Sequence, residues 1–186
     1  MRCAVILHAP MGGGKTRTAE SAAERARADG LKVMGILSRR IPGDDPLPSY
    51  ELLELDTGET VPFARPAGLG VVEGWESYDT PHFVFSQKGL YCANLALHRA
   101  AEEMRDGVVV FVDEWGRLES QRKGIHPGAV MVAKALSNGG VAVFLCRDDK
   151  VDEVRELLRG RATRTFSLEA GDVDALLRIV RGCSRL

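Results

Sequence analysis

The chain has 186 residues, with 25 Lys+Arg against 26 Asp+Glu and a formal charge of −1. That balance argues against bulk electrostatic binding to nucleic acid or to an anionic membrane. Hydrophobic residues at 45% and charged residues at 27% are globular averages, which exclude disorder as the default and point to a single domain over residues 1–186.

Apolar β-branched runs alternate with stretches of helical period, the pattern of a parallel sheet covered by helices. Cys3 to Leu7 reads as a first buried strand. Thr16 to Ala28 reads as a helix with Ala19, Ala22, Ala23 and Ala26 on one face, and Lys32 to Leu37 as a second strand. Leu90 to Met104 is helical, Val108 to Val112 is the most strongly β-patterned run, and Gly128 to Ser137 is a helix stopped by Asn138-Gly139-Gly140. Val141 to Leu145 follows as a strand, then Asp149 to Leu158, Arg164 to Leu168 and Asp172 to Val180 as helix, strand and helix.

The middle breaks this rhythm. Residues 41–81 hold many Pro and Gly and no helical period, and Tyr50 to Leu55 and Thr60 to Phe63 flank Asp56-Thr57-Gly58-Glu59. A Gly-containing turn between two extended runs predicts a small antiparallel hairpin inserted into, or extending, the parallel sheet.

No stretch approaches the roughly 18 to 20 uninterrupted apolar residues of a membrane span. The start, Met1 to His8, has no small-residue cleavage site after its apolar run, so the expectation is no signal peptide and a cytoplasmic location. Cys3, Cys92, Cys146 and Cys183 form no Cys-x-x-Cys pair and no zinc-type cluster, and are expected to be four reduced thiols filling the core.

After the first strand comes Ala9-Pro10-Met11-Gly12-Gly13-Gly14-Lys15-Thr16-Arg17, a phosphate-loop (Walker A) pattern with Ala at its first glycine. A polyphosphate needs several backbone N–H groups converging on it, and Gly12, Gly13 and Gly14 let the backbone wrap that closely. Thr16 opens a helix whose positive dipole end faces the anion. Pro10 to Arg17 is therefore the candidate nucleotide-binding segment, with Lys15 placed to reach the β- and γ-phosphates and the Thr16 hydroxyl to ligate Mg²⁺. Together with the alternating pattern this predicts an α/β three-layer sandwich of the P-loop NTPase type, mostly parallel, with the antiparallel insertion around residues 41–81.

The other half of such a site is a carboxylate at the end of a neighbouring strand (Walker B). Val108 to Val112 deliver Asp113 to the crevice at the strands' carboxyl ends, where it would hold the Mg²⁺ shell. Glu114 is suited to orient or deprotonate an attacking water, and otherwise reads as a surface acid capping the loop.

Asp113-Glu114-Trp115-Gly116-Arg117-Leu118-Glu119 resembles the Asp-Glu-x-Gly-x-x-Glu signature of the thermophile-type, or cancer-related, nucleoside-triphosphatase family. Gly35-Ile36-Leu37-Ser38, Thr57-Gly58-Glu59, Phe63-Ala64-Arg65 and Phe83-Val84-Phe85 fall in that family's order. The resemblance covers roughly the first three-quarters of the chain. It implies Mg²⁺-dependent hydrolysis of nucleoside triphosphates such as ATP or GTP with loose base selectivity. By position, it puts Lys15 and Thr16 on phosphate and Mg²⁺, Asp113 on the metal shell, Glu114 as the catalytic carboxylate and Glu119 as a loop-positioning acid. This chain departs from the pattern where Arg39-Arg40 follows Ser38 in place of an acidic residue, and where Ala9 opens the loop.

Arg117, with Arg122 and Lys123 beyond it, lies in a polar segment running to Pro127 and is a candidate internal arginine finger, or else part of a solvated loop. Trp115 and Trp75 read as base-stacking or, more commonly for such aromatics, as packing. His8, His82, His98 and His126 have no partner at useful spacing. After the strand Val141 to Leu145 the chain reads Cys146-Arg147-Asp148-Asp149-Lys150, which lacks the Asn-Lys-x-Asp arrangement of strict guanine readers; Arg147 can lie flat against any base. Two rival readings stand. Pro10-Met11 before the glycines and a strand ending in Asp-Glu also resemble thymidine kinases, a phosphotransferase reading, although the cysteines cannot build those enzymes' zinc lasso. A slow nucleotide-binding switch acting on a protein partner would use the same loop.

Overall fold

The computed structural model describes residues 1–43, 46–70, 72–78 and 80–184. Within the 41–81 excursion, residues 44, 45, 71 and 79 therefore lie outside the described residues. The sheet is built from β1 (Arg2–His8), β2 (Lys32–Ile41), β3 (Ser49–Glu54), β4 (Thr60–Pro66), β5 (Trp75–Ser77), β6 (Phe83–Ser86), β7 (Val108–Trp115), β8 (Gly140–Cys146) and β9 (Arg164–Glu169). Its order is β5-β6-β4-β3-β2-β7-β8-β1-β9. The run β2-β7-β8-β1-β9 is parallel, and β3, β4, β6 and β5 extend it antiparallel.

Helices cover both faces. α1 (Lys15–Ala28) and α6 (Val173–Ser184) pack on one face with Val5, Phe111 and Val143. α2 (Gln87–Glu102), α4 (His126–Ala135) and α5 (Val151–Leu158) pack on the other with Ile6, Val110 and Phe144, while α3 (Arg117–Ser120) is a single turn near the carboxyl end of β7. Strands buried on both faces explain why β8 is apolar throughout and wholly buried. Each large side chain so buried contributes about 1.5–3 kcal/mol. Ala19, Ala22, Ala23 and Ala26 do form the buried face of α1, with Thr18.

Several boundaries shift for identifiable reasons. α2 starts at Gln87, three residues earlier than its apolar period suggests, because the Ser86 hydroxyl accepts from the Gly89 N–H at 3.0 Å and caps it. β2 runs on to Ile41: it pairs with β7 only as far as Ile36 and then with β3 through Ile41. The predicted hairpin is present as β3 and β4, but it is half of a larger extension, since β6 and β5 add two further strands.

Two expectations are corrected. Asp113 does not sit on a strand adjacent to β1, because β8 lies between β1 and β7. The four cysteines are not all free: Cys3 of β1 and Cys183 of α6, 180 residues apart in sequence, meet on the α1–α6 face in a disulfide with a Cα–Cα distance of 6.2 Å. Cys92 and Cys146 remain free thiols. Among the described residues no helix is long and apolar enough to cross a membrane.

Candidate active site

The loop after β1 takes the shape its glycines allow. Gly12 and Gly14 have φ of 75° and 79°, and Gly14 is the left-handed residue before the first turn of α1. Gly13 donates its N–H to Pro10 O at 3.0 Å, and a Cβ there would lie 2.7 Å from that of Ala9. Met11 is exposed at the loop tip and Arg17 on the outer surface of α1. Lys15 Nζ donates to Ala9 O at 3.1 Å and Pro10 O at 3.0 Å, so its ammonium lies back across the loop.

Thr16 Oγ1 donates to Asp113 Oδ2 at 2.7 Å, and the Ser38 N–H donates to the same oxygen at 3.0 Å. Asp113 is 2% exposed. Burial pushes its pKa up to about 6 against the pull of the Ser38 and Thr16 hydrogen bonds and the Lys15 charge. A hydroxyl and a buried carboxylate form an all-oxygen donor pair suited to Mg²⁺, which commonly takes only one or two protein carboxylates beside phosphate and water. Among the described residues there is no group of three or more His, Cys, Asp and Glu that could hold a metal ion. Thr16 and Asp113 are thus the residues that would hold the cation.

Glu114 has φ 85°, a left-handed conformation uncommon for a residue with a Cβ. It reaches water through the mouth of the crevice, yet the protein crowded around its carboxyl desolvates it. Asp113 and Glu119 add like charge, and its pKa is pushed up to about 8 despite the pull of the nearby Ser38 hydroxyl and the Lys15 charge. Beside it opens a cleft of about 70 Å³, walled by Phe63, Phe85, Leu90, Leu118 and Arg117. Arg117, the first residue of α3, is exposed on that wall.

Glu119 organises the loop after the carboxylates. Its Oε2 accepts from the Gly116 N–H and its Oε1 from the Ile125 N–H, each at 3.0 Å. Gly124, with φ 62°, sits so close that a Cβ would strike Glu119 Oε1. Burial raises the Glu119 pKa to about 7, against those backbone donors.

Other expectations fall out of the site. Trp115 is buried against Phe144 and beside His126, and is packing. Trp75 lies under the Arg65 guanidinium, 4.5 Å from its ring centre, and Lys123 lies 6.0 Å from the ring centre of Tyr78. His8 does have a partner: its Nδ1 is 2.8 Å from Asp148 Oδ1, brought there by the β1–β8 pairing. Ser38, which the sequence reading does not assign to the site, joins it through its N–H on Asp113, and its place at the end of a buried strand is a signal of the same kind as that of Asp113.

The fold is shared with two solved structures. The solution structure of a human cancer-related nucleoside triphosphatase superposes with a TM-score of 0.69 at 21% identity, covering 100% of each chain. The crystal structure of THEP1 from the hyperthermophile Aquifex aeolicus gives 0.69 at 18% identity, over 98% of this chain and 99% of that one. No curated protein matches the chain in sequence. A family model described as NTPase matches residues 4–181, which takes in the phosphate loop, the Asp113–Glu119 block and both helical layers. The chain belongs to that NTPase family.

Proposed function

We propose that this protein is a Mg²⁺-dependent nucleoside triphosphatase, converting a nucleoside triphosphate to the diphosphate and inorganic phosphate with loose base selectivity. The observation that carries this reading is the Thr16–Asp113 hydrogen bond, which ties the phosphate loop to the carboxylate strand with Glu114 next in line. The loop's N–H groups and the start of α1 bind the β- and γ-phosphates, with Lys15 leaving its carbonyls to neutralise their charge. Mg²⁺, which Thr16 and Asp113 would hold, would supply neutralising charge to the phosphates. Glu114 orients a water and takes its proton as the water oxygen bonds to the γ-phosphorus and the bond to the diphosphate oxygen breaks. A carboxylate placed next to the metal-binding acid is suited to that exchange. Arg117 offers positive charge from the cleft wall to the transferring group.

Phosphate release by Lys15→Ala, with circular dichroism to check folding, tests the reading. Loss of turnover in a folded variant supports it, and near-normal turnover refutes it.

One observation favours a second reading. The cleft beside Glu114 is walled by Phe63, Phe85 and Leu90, a surface that water alone does not require. A phosphotransferase would seat an acceptor hydroxyl there and pass its proton to Glu114. Single-turnover phosphate release with and without candidate acceptors separates the two.

A further inference from the structure

β2 outruns its parallel partner. Its pairing with β7 ends at Ile36 opposite Val112, while its pairing with β3 continues to Ile41 opposite Ser49. Arg39 and Arg40 therefore stand beyond the end of that pairing, just past Ser38, whose N–H reaches Asp113. Successive side chains of a strand point to opposite faces. Val33 and Leu37 face α1 and α6, and Arg39 continues that row, pairing with Glu20 of α1 and lying 3.9 Å from Glu51. Met34 and Ile36 face α2 and α4; Ser38, whose N–H donates to Asp113, continues that row, and Arg40 comes next.

The cross-strand partner of Arg40 is Tyr50, which packs edge-on against Phe83 at 5.7 Å. Burial holds the Tyr50 phenol above its ordinary pKa, with Glu114 and Asp113 adding to the shift and Arg40 opposing it. The guanidinium and both carboxylates are thus within electrostatic reach of one phenol. At about 3.3 Å per residue, Arg40 Cα stands roughly 7 Å beyond that of Ser38, a gap comparable to the length of an arginine side chain.

We propose that Arg40 engages the γ-phosphate of a bound nucleoside triphosphate from the β2 side of the crevice, and is the residue by which this chain distinguishes triphosphate from diphosphate. The proposal rests on the nucleotide reading given above. It also gives the chain's departure after Ser38 a division of labour: Arg39 is occupied by two carboxylates and is structural, whereas the Arg40 row leads to the reacting groups. A planar guanidinium offers two parallel donors to phosphate oxygens, which an ammonium cannot reproduce.

The test is calorimetric titration of the full chain in Mg²⁺ with a non-hydrolysable ATP analogue and with ADP, using wild type, Arg40→Ala, Arg40→Lys and Arg39→Ala. Arg40→Ala is expected to lose about tenfold or more in analogue affinity while ADP affinity stays within about twofold, equivalent to at least about 1.4 kcal/mol at the γ-phosphate. Arg40→Lys should recover only part of that loss, and Arg39→Ala should keep the wild-type ratio. An unchanged ratio in Arg40→Ala, or an equal fall in Arg39→Ala, overturns the proposal. Failure of the wild type to bind either nucleotide would instead overturn the nucleotide reading itself, and the proposal with it.

Discussion

Thr16 and Asp113 are 97 residues apart in sequence and 2.7 Å apart in space, hydroxyl to carboxylate. Because Asp113 Oδ2 also accepts the Ser38 N–H, that oxygen is held from two sides before any nucleotide arrives. Such preorganisation predicts that Asp113→Asn and Thr16→Val each weaken the Mg²⁺-dependent part of nucleotide binding and leave binding in EDTA nearly unchanged. Fluorescent-nucleotide titration with and without Mg²⁺ measures this. Equal losses under both conditions would show that these residues do not serve the cation.

Glu114→Gln is expected to behave differently. It keeps the shape of the carboxyl but cannot take a proton, so Mg²⁺-nucleotide affinity should hold while turnover falls by about 10²- to 10⁴-fold. If Glu114→Gln and Asp113→Asn gave the same pattern in titration and turnover, the division between the two acids would be wrong.

Glu119 yields a prediction with a definite sign in pH. Its folded pKa, about 7 against an ordinary 4.5, means that the fold favours the neutral acid. Its contribution to stability is therefore fully present below about pH 4.5 and declines as pH rises through 7. Glu119→Gln leaves one acceptor for two backbone N–H groups, an unsatisfied donor that costs about 1–3 kcal/mol. Thermal melts across this range should show the gap between wild type and Glu119→Gln narrowing as pH rises. A widening gap would mean that the backbone donors outweigh burial.

Base selectivity should be loose. After β8, Arg147 pairs with Asp149 at 3.0 Å, Asp148 with His8 at 2.8 Å and Lys150 with Glu153 at 2.7 Å. These side chains are engaged with one another, with β1 and with α5 rather than set out as a base-reading pair. Specificity constants for purine and pyrimidine triphosphates are expected within about tenfold of one another, under roughly 1.4 kcal/mol of discrimination. A thousandfold preference for one base in such a panel would reveal a dedicated pocket elsewhere.

What could be read in the sequence was what is local in it. The phosphate loop and α1 follow from glycines, a lysine and an alanine period within twenty residues, and Asp113-Glu114 from the apolar run before them. The β3–β4 hairpin was legible for the same reason. Long-range pairings leave no such trace: Ser38 to Asp113 spans 75 residues, His8 to Asp148 spans 140 and Cys3 to Cys183 spans 180. Nor does any periodicity tell that β8, made late in the chain, slips between β1 and β7. That order follows from how the crossovers pack, not from the strands' composition.

The Cys3–Cys183 bridge changes how the molecule carries load. A tension applied outside residues 3 and 183 passes through one covalent link between β1 and α6 and leaves slack every strand and helix strung between them. The phosphate loop and its carboxylates are thereby mechanically insulated from whatever pulls on the two ends. Only after reduction would the same pull begin to peel α6 from α1 and then strip β1, with the nucleotide loop attached, from between β8 and β9.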